Sequence, residues 1–182
     1  MEFEPTRLPE VVLIKPRVFA DARGFVFETW QQQQFAAAGI AVPFVQDNHS
    51  HSSRHMLRGL HFQIRQPQGK LVRVARGEVF DVAVDIRRSS PRFGQWVGVV
   101  LSDSNHHMLW VPPGFAHGYL ALSEKNDFLY KCTDYYAPQH ERAVRWDDPQ
   151  LAIKWPLPAG TAPILSSKDA AAPLFGETEL YA

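Results

Sequence analysis

Cysteine is nearly absent. Cys132 stands alone in 182 residues, which excludes an intramolecular disulfide framework and a cysteine zinc cluster and fits a reducing cytoplasm. Net charge is absent too. Lys and Arg number 19 and Asp and Glu 19, so the molecule as a whole has no electrostatic reason to seek nucleic acid or an anionic membrane. Any anionic ligand must be held by a local cluster. No apolar run approaches the roughly 18 residues of a spanning helix, and Met1 to Arg7 shows no basic region followed by an apolar one. Repeats, charge runs and low-complexity tracts are also missing. These absences lead us to expect a soluble, cytoplasmic protein. Its length suits a single domain over residues 1–182, with a core that hides roughly two thirds or more of the unfolded surface.

What is present reads as many short strands. Val11–Ile14 ends before Pro16, and Asp21-Ala22-Arg23-Gly24 is turn chemistry leading into a strand over Phe25–Trp30. Gln31 to Ala38 is the one convincing helix, stopped by Gly39. Phe44–His49 returns to extended structure and Ser50–Arg54 reads as a loop. Strands are then expected over Leu57–Gln63, Leu71–Ala75, Val79–Ile86, Trp96–Leu101, Met108–Val111, Tyr119–Leu122 and Phe128–Thr133. In Val79–Ile86 the alternation is clean, Phe80, Val82, Val84 and Ile86 against Asp81, Ala83 and Asp85, which describes a half-buried antiparallel strand. The pattern predicts a mainly β sandwich or closed barrel with a core over about 11–135. A proline-punctuated segment, 136–182, is too aromatic to be disordered and should pack back on the barrel.

The chemistry concentrates in Met56-Leu57-Arg58-Gly59-Leu60-His61-Phe62-Gln63 and Gln68-Gly69-Lys70-Leu71-Val72-Arg73-Val74, where polar groups sit inside apolar runs. Period-two geometry puts His61 and Gln63 on one face and Arg58 on the other, unless Gly59 bends the strand. His61 itself is open to two readings, a satisfied core histidine or a pocket group. Downstream, Pro112-Pro113-Gly114-Phe115-Ala116-His117 delivers a second histidine onto a strand. With Gly59-x-His61-x-Gln63 the pair resembles the two motifs of the cupin barrels, except that Gln63 stands where a metal-binding cupin usually has a histidine. Two histidines without a nearby carboxylate make a poor divalent-metal site, so no metal is expected. What remains is a histidine base, a lysine cation and a tyrosine acid, with Tyr130 offered by Phe128–Lys131. That set suits removal of a proton next to a ketone, without a cofactor. Asp81, Asp85 and Asp169 are all open as the carboxylate that orients the base.

The ordered motifs carry a resemblance. Asp21–Glu28 (D-x-R-G-F-x-x-E), Gln46–Ser50, Leu57–Gln63, Gln68–Arg73, Gly77–Ile86, Phe93–Gly98, Gly114–Gly118, Tyr136–Arg142 and Leu165–Asp169 together resemble the dTDP-4-dehydrorhamnose 3,5-epimerase family. The resemblance implies a cupin-like jelly roll with a short N-terminal helix and short C-terminal helices. It also implies a homodimer with strand exchange, no cofactor, and inversion at C3 and C5 of dTDP-4-dehydro-6-deoxy-D-glucose, a step of dTDP-L-rhamnose synthesis. It assigns His61 as proton acceptor oriented by Asp169, Tyr130 as donor on the opposite face and Lys70 as enolate stabiliser. Arg23, Glu28, Gln46, Asp47, Asn48, Arg58, Gln63, His117, Glu141 and Lys168 would hold the nucleotide sugar, with Tyr136 stacked on thymine. His55-Met56 replaces the usual Gly-Val, and the turn between Gln63 and Gln68 is about one residue short. Mono-epimerisation, ketone isomerisation, a metal-dependent cupin oxygenase and a binding module without catalysis are the competing readings.

Overall fold

A computed structural model describes residues 1–182. The strands form two facing antiparallel sheets and a separate hairpin. The larger sheet runs, edge to edge, β1 (Glu2–Pro5), β2 (Val12–Lys15), β10 (Met108–Val111), β7 (Lys70–Arg76), β12 (Asn126–Cys132) and β5 (Gln46–Ser52). The smaller runs β13 (Glu141–Ala143), β6 (Leu57–Gln63), β11 (Phe115–Ala121), β8 (Glu78–Asp85) and β9 (Trp96–Ser102). Strands next to each other in the chain mostly lie in different sheets, which is jelly-roll-like wiring. No helix is long and apolar enough to cross a membrane.

Three apolar clusters explain the layering. Val72, Val74, Val79, Ala83, Leu109 and Phe128 interdigitate between the sheets. On the outer face of the larger sheet, α1 (Gln32–Ala37) drops Phe35 onto Ile14, Leu71, Met108 and Trp110. Burial of that one phenyl ring is worth about 2–3 kcal/mol. Gln31 caps α1, its side-chain oxygen accepting from the Gln34 N–H at 2.6 Å, and Gly39 follows with φ +86°. The helix matches its sequence expectation within a residue at each end.

The outer face of the smaller sheet holds a difference. β8 is buried on both faces. Phe80, Val82, Val84 and Ile86 face outward as the alternation says, but Val144, Leu151, Phe175 and Leu180 of the C-terminal segment cover them. A strand that reads as half-exposed is thus a central one, because the chain returns later to roof it. Ser50–Ser52 belongs to β5 rather than a loop, since seven residues pair in register with β12. β11 likewise begins at Phe115, four residues earlier than the pattern suggests, because its register with β8 is continuous from Phe115 to Ala121. The expected strand Phe25–Trp30 shrinks to β4 (Gly24–Val26), paired only with β3 (Phe19–Asp21) in a hairpin whose residues are all exposed.

Candidate active site

Between the sheets lies a cavity of about 360 Å³ lined by Arg58, His61, Lys70, His117, Tyr130 and Asp169 among others. A smaller cavity of about 90 Å³ adjoins it and shares His61, Lys70 and Tyr130. His61 and His117 come from the smaller sheet, while Lys70 and Tyr130 come from the larger, so the two pairs stand on opposing walls.

Arg58 and His61 line the same cavity although they are an odd number of residues apart. The cause lies at Gly59. His61 pairs with His117 and Arg58 pairs with Tyr119, so β6 takes three steps where β11 takes two. One extra residue reverses the face that follows, which is what a bulge does. Gly59 has φ +124°, and a Cβ there would meet Gly118 Cα at 2.5 Å. Only glycine permits this contact. The bend left conditional by the sequence is therefore present.

Asp169 is delivered by the C-terminal segment. Ile164 donates to His55 O at 2.8 Å and accepts from the Leu57 N–H at 3.0 Å, which pins that segment beside the start of β6. Ser166 then caps α2 (Ser167–Ala170), accepting from the Asp169 N–H at 3.1 Å. The buried Asp169 carboxylate accepts from His61 Nε2–H at 2.5 Å, leaving Nδ1 with the ring's lone pair. Burial is the largest influence on Asp169 and opposes its ionisation, but the His61 bond and charge, with the hydrogen bonds from Ser166 and the Gly59 backbone, together outweigh it and hold the carboxyl below its ordinary range. His55 sits at φ +65°, in the left-handed region where glycine, usual for the resembled family, is unstrained. Met56 forms part of the cavity wall next to Ile164.

On the opposite wall, Tyr130 makes no side-chain hydrogen bond, and burial pushes its phenol up to about 12. It keeps its proton at neutral pH. Lys70 also lacks a hydrogen-bonded side-chain partner, and burial lowers its pKa against the opposing pull of Cys132, Asp81 and Glu141. Glu141 Oε2 accepts from Lys168 Nζ at 2.5 Å and from the Tyr136 hydroxyl at 2.6 Å. Burial works against the Glu141 charge, yet these bonds keep its pKa low. Arg58 Nε donates to Ser52 Oγ at 3.1 Å, and Ser52 Oγ in turn meets the Tyr119 hydroxyl at 3.1 Å.

Several expected binding residues behave otherwise. Gln46 and Asn48 line the smaller cavity, but Asp47 points to the other face of β5 and pairs with Lys131 at 2.6 Å, as period two requires. Gln63 lines the smaller cavity with its amide occupied: Nε2 donates to Gln66 O and Tyr135 O, and Oε1 accepts from the Ala137 N–H. It fastens loops rather than offering a ligand its hydrogen bonds. Arg23 and Glu28 do not reach the cavity of their own chain. Arg23 projects from the hairpin paired with Asp21, and Glu28 accepts from Gln34. Asp81, one of the carboxylates left open as partner of the base, bonds His117 and not His61, because the β8–β11 register sets it diagonally from His117 on the same face. Asp85 is the partner of Arg87 and Ser90 in a structural network.

Comparison with known proteins places this geometry. The profile of the family described as dTDP-4-dehydrorhamnose 3,5-epimerase matches residues 5–177. The chain belongs to that family. It is 57% identical over 175 residues to the Pseudomonas aeruginosa dTDP-4-dehydrorhamnose 3,5-epimerase, with 96% of each chain covered. It superimposes with a TM-score of 0.94 and 52% identity on the Legionella pneumophila dTDP-6-deoxy-D-glucose-3,5-epimerase RmlC solved with dTDP-4-keto-L-rhamnose, covering 97% of this chain and 93% of that one. A monoepimerase also aligns. ChmJ, a 3'-monoepimerase from Streptomyces bikiniensis in complex with dTDP-quinovose, matches at 31% identity and a TM-score of 0.88, over 94% of this chain and 87% of that one.

Proposed function

We propose that the chain is a dTDP-4-dehydrorhamnose 3,5-epimerase that inverts C3 and C5 of dTDP-4-dehydro-6-deoxy-D-glucose by proton abstraction next to the C4 ketone. The observation that carries this reading is the His61–Asp169 pair facing Tyr130 across one cavity, with Lys70 beside both. His61 Nδ1 takes the carbon-bound proton while Asp169 steadies the ring and the charge it acquires, an arrangement worth roughly 10²–10⁴ in rate. Lys70 stabilises the enolate oxygen from a half-buried position, where the charge acts more strongly than in water. Tyr130 returns a proton from the opposite wall, which inverts the centre. Arg58 and Lys168 would hold the diphosphate, Gln46 and Asn48 the base, with Tyr136 stacked on it. The mechanism requires no cofactor.

A homodimer fits the same reading. Phe25 and Val26 are 61% and 68% exposed on the hairpin that also carries Arg23. An apolar arm of that kind is suited to a second copy, whose cavity Arg23 and Glu28 would then complete. The cytoplasm supplies the sugar nucleotide.

Proton NMR of the substrate in deuterated water, with His61→Ala as control, tests the proposal. Deuterium should enter at C3 and C5 with the wild type and at neither carbon with the variant. Label at one carbon only would make the enzyme a mono-epimerase, and label that persists in the variant would remove His61 from its role.

A further inference from the structure

Asp81 lies midway along β8, fully buried, on the face turned toward the interior of the sandwich. Its side-chain partner is His117, whose Nε2 stands 3.0 Å from Oδ1 and 3.0 Å from Oδ2. A nitrogen shared evenly by two carboxylate oxygens must carry the hydrogen. The ring is thereby fixed as the Nε2–H donor, and Nδ1 makes no side-chain bond within the protein. His117 is also the residue directly opposite His61 in the β6–β11 register, so the two histidines stand side by side, each tied through Nε2 to its own buried aspartate. A carboxylate with no exposure and one hydrogen-bond partner is costly to keep unless its charge is used.

We propose that Asp81 is a positioning residue for the reaction, orienting His117 through both carboxylate oxygens and standing as the buried counter-charge beneath Lys70. This rests on the epimerase reading above. Its position is consistent with electrostatics, since Asp81 raises the proton affinity of Lys70 while burial lowers it. The other titratable groups around Lys70 are Cys132 and Tyr130 from β12, Glu141 from β13, His61 from β6 and His117 from β11. Glu141 is already bonded to Lys168 and Tyr136. Asp81 is accordingly the carboxylate whose removal Lys70 should feel most directly.

The test is Asp81→Asn in the full chain, which keeps the shape and removes the charge. Turnover should fall roughly 10- to 100-fold, as for outer partners of functional histidines. Affinity for dTDP, measured by calorimetry, should stay at its wild-type value, and the alkaline limb of the kcat profile should move to lower pH. Wild-type kcat with an unmoved limb would overturn the proposal, as would loss of dTDP affinity in proportion to kcat. Two-bond proton–nitrogen NMR of the labelled wild-type protein gives a reading even where the variant does not fold. His117 should show the Nε2–H tautomer, and the Nδ1–H tautomer would overturn the assignment. Wild-type protein that fails to turn over the sugar would count against the epimerase reading instead, and the tautomer would still decide for or against Asp81.

Discussion

At the scale of single residues, the acid and the cation of the cavity are separated by what burial does to each. Burial favours the neutral form of both, so it raises Tyr130 to about 12 and lowers Lys70. As pH rises, the phenol of Tyr130, the form the proposed mechanism uses, is therefore kept, while the ammonium of Lys70, likewise the form it uses, is lost early. The alkaline limb of the rate profile should belong to Lys70. Tyr130→Phe should lower kcat by roughly 10²–10⁴ and leave that limb in place, whereas Lys70→Ala should abolish it; stopped-time assays across pH 6 to about 11 distinguish the two. A limb that disappears with Tyr130→Phe would reverse the assignment. Much of this scale is legible from sequence because side-chain period does the sorting. Gln46 and Asn48 enter the cavity and Asp47 leaves it by parity alone. Parity does not say which of several buried carboxylates meets which histidine, since that depends on inter-strand register and on a segment over a hundred residues away, as for His61 and Asp169.

At the scale of elements, one bulge in β6 decides which side chains share the cavity. Without the extra residue at Gly59, Arg58 would turn to the outer layer with Leu60 and Phe62, and a cation facing the cavity would be exchanged for one buried among Val82, Val84 and Phe175. Gly59→Ala places a Cβ 2.5 Å from Gly118 Cα and 2.8 Å from His117 O, contacts that backbone cannot yield cheaply, at a φ of +124°. The expected loss is about 2–4 kcal/mol of stability by urea titration. What folds should bind dTDP weakly, because Arg58 no longer points to the cavity. An Ala variant of wild-type stability and affinity would show that the strand can keep its register without the glycine. The sequence marks Gly59 as a possible bend, but whether the bend occurs depends on Gly118 across the ladder being small enough to receive it. Outer-face coverage illustrates the same limit: β8 alternates like a surface strand, and only the returning C-terminal segment makes it central.

At the scale of the whole molecule, the monomer leaves two conspicuous residues stranded. Arg23 has a side chain 89% exposed and Glu28 lies outside the cavity, yet both belong to the first motif of the resemblance. The hairpin that carries Arg23 and precedes Glu28 is apolar where it should be solvated, with Phe19, Phe25 and Val26 open to water. No reading of one chain's strand pattern can show where such an arm docks, because its partners lie in no segment of the same chain. If it completes the neighbour's site, inactivating changes in Arg23 and His61 should complement one another. In a heterodimer of Arg23→Ala with His61→Ala, one cavity has its own His61 and the partner copy's intact arm, whereas the other lacks both. Random reassortment makes half the dimers mixed, each with one working site of two, so co-refolded variants should recover about a quarter of wild-type activity. Each variant alone should be nearly inactive. No recovery on mixing, with mixed dimers confirmed by mass spectrometry, would place Arg23 in the cavity of its own chain and require the hairpin to fold inward.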